Sequence, residues 1–273
     1  MASIKLFWWR PKDGSFNLGD EISRLLFERL FDVQVKRAAY PGANVNSTGS
    51  TLGWAFDRED FETRKTKMVV LGSGLMHPWH QIEDHGWLDI RLVRGYLTRS
   101  VISRAFGESM AIGDPGLLVS DLLPSKKPEK KFRYGVIPHI SKVEDDSFYQ
   151  RFDGLPSATF ISFKTDDIDA VLRKMMECEV IISQSLHGVI FSDSLGLPNV
   201  WLDAGSLHPG GNFKFFDYFS SINRPFDKGF KVNPGEVIDE TVEQELFTPD
   251  MKKVEQVKQT IRQEIVRAIG EFR

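Results

Sequence analysis

His187 is the residue of this chain best placed to move a proton. It follows Ser183-Gln184-Ser185-Leu186 and opens the apolar run Gly188-Val189-Ile190-Phe191. Val180-Ile181-Ile182 ahead of it reads as a buried strand. Gly196 and Pro198 behind it can end a helix and stop it continuing. Strand, polar turn and helix in that order set the imidazole at the mouth of a crevice, because ligands of open α/β sheets collect at the carboxyl ends of the strands. A lone histidine is more often structural; this placement favours function. A helix N-terminus disfavours a protonated ring, so His187 acting as an acid needs a carboxylate or a bound phosphate nearby. Asp193, on the far side of the same helix, is a poor partner.

The other strand ends carry further candidates. Arg94 follows an apolar strand at 89–93, where a guanidinium can grip phosphate or carboxylate with two donors. Arg99 falls in the first turn of a helix that Thr98 can cap, and a solvated side chain explains it as well. After the first strand come Asn17, Gly19 and Asp20 at the head of a helix, whose free N–H groups suit an anion or a polar ligand. A plain cap by Asn17 or Asp20 accounts for the same residues. Gly72-Ser73-Gly74 follows the strand at 67–71 but lacks the rest of a dinucleotide fingerprint and of a P-loop, which argues against NAD. Asp114 sits in Gly113-Asp114-Pro115-Gly116, His139 follows the strand at 134–137, and Lys214 closes the glycine-rich loop that starts at His208. His77, His80 and His85 are too loosely spaced for zinc, with Pro78 and Trp79 suggesting a lid or packing turn, so no metal is expected.

Short apolar runs alternating with helical patterns must position these residues, which predicts βα units and mainly parallel sheets. Strands are expected at 4–9, 33–36, 67–71, 89–93, 111–112, 134–137, 159–161, 180–182 and 199–202. Helices are expected at 20–30, 98–106, 167–176, 186–195, 214–220 and 249–272. The charged, proline-bearing stretch 123–131 has linker composition. It divides the chain into lobes at 1–123 and 132–248, with 249–273 as a terminal helix able to pack across both. Hydrophobic residues make up 41% and charged residues 27%, enough to bury a core. A net charge of −3 and the lack of a basic stripe argue against nucleic acid as partner. The single cysteine, Cys178, precedes an apolar run and reads as core; without a disulfide the chain suits a reducing compartment. The N-terminal residues form neither a signal peptide nor a membrane span.

The order and spacing of Asn17-Leu18-Gly19-Asp20, Gly72-Ser73-Gly74, Val93-Arg94 through Ser100, Ile112-Gly113-Asp114-Pro115 and Ser183 through Pro198 resemble the polysaccharide pyruvyl transferase family. The resemblance implies two Rossmann-like lobes in a glycosyltransferase-B-like arrangement. It implies phosphoenolpyruvate (PEP) as donor, with no other cofactor. The acceptor it implies is a sugar of an exopolysaccharide or cell-wall polymer, lipid-linked or free. The same resemblance implies a cytoplasmic location, with peripheral association at the inner face of the membrane and oligomeric state left open. It also makes His187 the general acid, and Arg94 helps bind PEP with Arg99, Ser183, Ser185, Leu186, Gly188, His139 and Lys214 around it. Asn17, Gly19, Asp20, Gly72, Ser73 and Asp114 fall on the acceptor side. Many members place an arginine just before the Leu-His pair, where this chain has Ser185. That departure removes an expected PEP contact, which Arg99, His139 or Lys214 would have to replace. It also keeps two alternatives in play: a nucleotide-sugar glycosyltransferase and a non-catalytic carbohydrate-binding relative.

Overall fold

The computed structural model describes residues 2–56, 66–78, 82–123, 128–203, 210–227, 229–231 and 235–272. Six parallel strands form a first sheet in the order β2-β1-β3-β4-β5-β6. They are β1 (Ser3–Phe7), β2 (Gln34–Arg37), β3 (Val45–Asn46), β4 (Met68–Leu71), β5 (Leu88–Val93) and β6 (Ala111–Ile112). All four residues of β4 are buried, as expected for a central strand covered on both faces. A second parallel sheet runs β10-β9-β7-β8, built from β7 (Phe132–Ile137), β8 (Ala158–Phe160), β9 (Cys178–Ser183) and β10 (Asn199–Trp201). This is the α/β architecture with parallel sheets that the alternating pattern predicts, in the two-sheet, Rossmann-like form that the family resemblance implies.

In each sheet the chain lays one strand to one side and then returns to the other. The reversals fall between β1 and β3 and between β7 and β9. Loops leave such a point in opposite directions and open a crevice at the carboxyl ends of the strands. Helix α1 (Leu18–Phe31) follows β1, and α5 (Leu186–Leu195) follows β9. The remaining helices are α2 (Tyr96–Phe106), α3 (Asp146–Gln150), α4 (Ile168–Met176), α6 (Phe213–Ser221) and α7 (Met251–Gly270). Every residue of α5 is buried, including Ser192, Asp193 and Ser194 beyond the apolar run Gly188-Val189-Ile190-Phe191.

Although the sheets are two, the largest apolar cluster is continuous through both. It joins Leu6, Ile22 and Leu26 to Ile137, Ile181 and Val189, and to Val254, Ile261 and Ile265 of α7. Helix α7 lies against β4, β5 and β6 and also touches α5. The elements of the first sheet precede the charged stretch at 123–131 and those of the second follow it. Residues 124–127 of that stretch lie outside the described residues, as do Trp79, His80, His208 and Pro209.

One expected cap is different. Helix α2 starts at Tyr96 behind an extended Gly95, so Thr98 lies inside the first turn. Its hydroxyl accepts from the Leu75 N–H and donates to Asp217 on α6. The sequence reading also missed β3, α3 and a 3-10 stretch at Pro115–Leu122, which Asp114 caps through the Gly116 N–H. A two-residue strand and a proline-led 3-10 turn are too short to show a period.

Candidate active site

A cavity of about 430 Å³ opens where the strand ends of the two sheets meet. From the first sheet, the segment after β1 supplies Trp9, Asn17 and Asp20, and the loop after β3 supplies Ser50, Thr51 and Trp54. Met76 and His77 follow β4. From the second sheet come His139 after β7, and Ser185, Leu186 and His187 after β9. Lys214 stands at the head of α6. The volume lies in the range of small-molecule sites.

His187 sits on the first turn of α5, held there by the turn that precedes it. Ser183 Oγ donates to the Ser185 carbonyl at 2.8 Å and accepts from the Ser185 N–H at 3.1 Å, fixing the strand-to-helix exit. Gly188 packs against that hydroxyl. The His187 ring lies on Gly19, where any Cβ would collide with Nδ1, so only glycine admits the imidazole there. Its Nε2 is buried without a hydrogen-bond partner. Burial, then the charges of Lys214 and Arg94, push the imidazole down to about 3. The ring is therefore neutral at physiological pH, and it becomes an acid only if something anionic enters.

Lys214 and Asp20 are the charged groups of the cavity wall. Burial and Arg94 bring the Lys214 ammonium down to about 8, with Asp20 opposing the shift. Among the described residues it has no hydrogen bond or ion pair. Burial pushes the Asp20 carboxyl up to about 7, partly offset by Lys214. Asn17 Nδ2 donates to Asp20 Oδ2 at 2.7 Å and orients it. A carboxylate that takes up a proton near neutrality and an uncommitted ammonium together suit an anionic donor and a hydroxyl acceptor.

Residues 10–206 match the family model for polysaccharide pyruvyl transferase. The chain belongs to the polysaccharide pyruvyl transferase family. It is 30% identical over 210 residues to an uncharacterised protein of Acanthamoeba polyphaga mimivirus, covering 75% of this chain and 70% of the viral one. It is 26% identical over 220 residues to the succinoglycan biosynthesis protein ExoV of Rhizobium meliloti (strain 1021), covering 80% of this chain and 65% of that protein. The match thus spans less than two thirds of the rhizobial relative.

Of the residues singled out in this pyruvyl transferase family member, Asn17, Asp20, His139, Ser185, Leu186, His187 and Lys214 line the cavity. Arg94 does not. It is fully buried: Nε meets Asp217 at 2.9 Å, Nη1 donates to Ser50 Oγ at 2.6 Å and Nη2 to the Leu75 carbonyl at 2.6 Å. It supports the wall through Ser50 instead of presenting a free fork. Arg99 turns away, its guanidinium 4.8 Å over the exposed Tyr96 ring. Gly72, with φ of 109°, and Ser73, which donates to the Gly49 carbonyl at 3.1 Å, shape the loop after β3 from behind. Asp114 is wholly buried and outside the lining. His77 lines the cavity while His85 is exposed. Trp54 both lines the cavity and packs on Phe7 and Tyr40, with centroids 5.2 and 5.8 Å apart. Ser50 and Thr51 were missed because the strand before them is two residues long. The polar, glycine-bearing run Asn46-Ser47-Thr48-Gly49-Ser50-Thr51 after Val45 was the available signal.

Proposed function

We propose that the chain transfers the pyruvyl group of PEP to a pair of hydroxyls on a sugar of an exopolysaccharide or cell-wall glycan, closing a cyclic ketal. The observation that carries this reading is the convergence of His187, Lys214 and Asp20 on one cavity between the two strand-end crevices. The lobe at 1–123 serves the acceptor and the lobe at 132–248 the donor. Lys214, with His139 beside it, takes the place of the arginine missing at Ser185 and receives the donor's negative charge. No further cofactor is required.

PEP is a phosphorylated enol. The donor's charge favours a proton on His187, which delivers it to the methylene carbon. The adjacent carbon gains cationic character and a sugar hydroxyl attacks it, with Asp20 accepting the hydroxyl proton. Phosphate leaves carrying the proton of a second hydroxyl, which closes the ketal, and the proton taken up by Asp20 makes good the one His187 gave to the methylene carbon. Trp54 offers a ring face for the sugar. The reading places the chain in the cytoplasm, at the inner membrane face where the acceptor is lipid-linked. Among the described residues no helix is long and apolar enough to cross a membrane.

The test is phosphate release from PEP in the presence of a sugar acceptor, with thermal shifts recorded for PEP and for nucleotide sugars. Release and stabilisation by PEP are expected. Stabilisation by a nucleotide sugar and not by PEP favours glycosyl transfer and overturns the reading. His187→Ala is expected to lower kcat by about 10²–10⁴-fold while the fold stays intact.

A further inference from the structure

Two neighbouring hydroxyls in the loop after β3 border the cavity, and they are committed differently. Thr51 Oγ1 donates to Asn46 Oδ1 at 3.0 Å and lies 3.2 Å from Ser73 Oγ, so its proton stays inside the wall. Ser50 Oγ accepts from Arg94 Nη1 at 2.6 Å. A guanidinium has donors and no acceptor, so the direction of that bond is fixed and the serine keeps its own proton to give. Among the described residues Ser50 Oγ has no other hydrogen bond. The wall is shaped to hold this arrangement. Gly74 leaves room for the guanidinium, since a Cβ there would stand 2.5 Å from Arg94 Cζ. Gly49, with φ of 99°, turns the chain just ahead of Ser50, and its carbonyl accepts from the Gly74 N–H at 3.0 Å and from Ser73 Oγ at 3.1 Å. Asp217 occupies Arg94 Nε and the Leu75 carbonyl occupies Nη2, which leaves Nη1 for the serine. Arg94 is fully buried, whereas Ser50 is half-buried and lines the cavity.

We propose that Ser50 is an anion-binding residue: its hydroxyl donates to a phosphate or carboxylate oxygen of the ligand in the cavity, and so links the buried Arg94 guanidinium to an anion that the guanidinium does not touch. This rests on the reading of the cavity as the site of an anionic group donor, and it gives the first lobe a contact with that molecule. A hydroxyl that accepts from a cation donates more strongly, because bonds in a chain polarise one another. The proton offered at Ser50 therefore favours a charged oxygen over a neutral sugar hydroxyl. Lys214 adds a second positive charge to the same cavity. The charge of Arg94 is felt there as well, since it helps to lower both Lys214 and His187. The opposing charge is Asp20, which lies across Gly49 and is bonded to Asn17, not to Ser50. Arg94 in this way keeps a part in binding without presenting its fork.

Crystals soaked with inorganic phosphate, and others soaked with PEP, test the contact directly. Ser50 Oγ is expected within about 2.5–3.0 Å of an anionic oxygen, with Arg94 Nη1 still donating to it. A bound phosphate or PEP whose anionic oxygens all lie beyond that reach overturns the proposal. The PEP soak also tells which end of the molecule the serine holds. Calorimetric titration with the same two probes measures the effect. Ser50→Ala is expected to weaken PEP binding by about 10-fold or more, the loss of one hydrogen bond to a charged group, while Ser50→Thr, which keeps the hydroxyl, stays within about threefold. Ser50→Ala also leaves Nη1 without its acceptor, so its Tm is expected to fall. Ser73→Ala loosens the same loop from behind without touching the free proton, and is expected to lower Tm with PEP affinity nearly unchanged. A loss of affinity in Ser73→Ala as large as in Ser50→Ala overturns the proposal, because the order of the loop then sets binding. Should Ser50→Ala fail to fold, the soaked crystals of the unsubstituted protein still decide. Phosphate held by Ser50 in a protein that does not turn over PEP would overturn the proposed function and leave this contact standing, whereas absence of both phosphate and PEP binding would overturn the two together.

Discussion

The head of α6 puts one buried cation, Lys214, in the cavity lining and the carboxyl end of β5 puts another, Arg94, behind it, and the two are engaged differently. Arg94 has Asp217, Ser50 and the Leu75 carbonyl on its three nitrogens. Lys214 has no hydrogen bond or ion pair among the described residues, only the Phe215 ring 5.5 Å away. Both lie under a tenth exposed. A buried guanidinium closed by a carboxylate is architecture: it ties α6 to the first lobe, since Asp217 also accepts from the Thr98 N–H at 2.7 Å and hydroxyl at 2.6 Å. A buried ammonium without an anion destabilises the free protein, and that cost is offset when an anion binds. Residue type alone favours arginine for a bidentate anion, but here the nitrogens of Arg94 are already partnered and, among the described residues, the Lys214 ammonium is not.

The contrast breaks first at Arg94. Arg94→Ala strands Asp217 in the interior, and Asp217→Ala strands the guanidinium. Each is expected to cost about 3–5 kcal/mol, roughly 10 °C in Tm for a chain of this size. Thermal unfolding measures it. Replacing both together with apolar residues of similar volume is expected to recover most of the loss. If Arg94→Ala instead keeps its Tm and loses only PEP binding, Arg94 is a ligand group and the contrast fails.

Lys214 should behave in the opposite way. Lys214→Met is expected to leave Tm unchanged or raise it, because a buried charge without a partner is removed. The KM for PEP is expected to rise by about 10–100-fold, the loss of one charge-assisted contact. The PEP KM of the unsubstituted protein is also expected to climb as pH rises through about 8, where Lys214 loses its proton. A KM flat across that range would show that another group holds the donor.

The same two residues show how much was legible in the sequence. The strands, the parallel class and helix α5 emerge from apolar runs and from Gly196 and Pro198, since periodicity and chain breakers are local properties. His187, Asp20 and Lys214 emerge from one rule, that residues just beyond a strand's carboxyl end border the crevice. That rule names positions, however, and not directions. It placed Arg94 and Asp114 correctly at strand ends but could not show that Asp217, far along the chain, would close one of them, or that Asp114 would turn inward. Arg99, for which the helix reading favoured a solvated side chain and which only the resemblance set around PEP, lies over the exposed Tyr96 ring. Ser50 and Thr51 were hidden behind β3, which pairs as Val45–Asn46 on both sides but is too short to alternate.

The smallest effect tests the partner that Lys214 feels at a distance. Burial holds the Asp20 carboxyl up at about 7, whereas an unfolded chain titrates it near the ordinary 3.8. Between these values the folded protein keeps a proton that the unfolded chain has released. Stability must therefore fall as pH rises from about 4 through about 7. Asp20→Asn keeps an oxygen for the Asn17 amide and removes the titration. Its Tm is expected to gain on that of the unsubstituted protein progressively as pH rises across this window. Lys214→Met removes the charge that opposes the shift, so it should extend the falling window to higher pH. Parallel Tm curves for Asp20→Asn and the unsubstituted protein would mean that Asp20 is not held protonated, and the coupling between the two cavity charges would be absent.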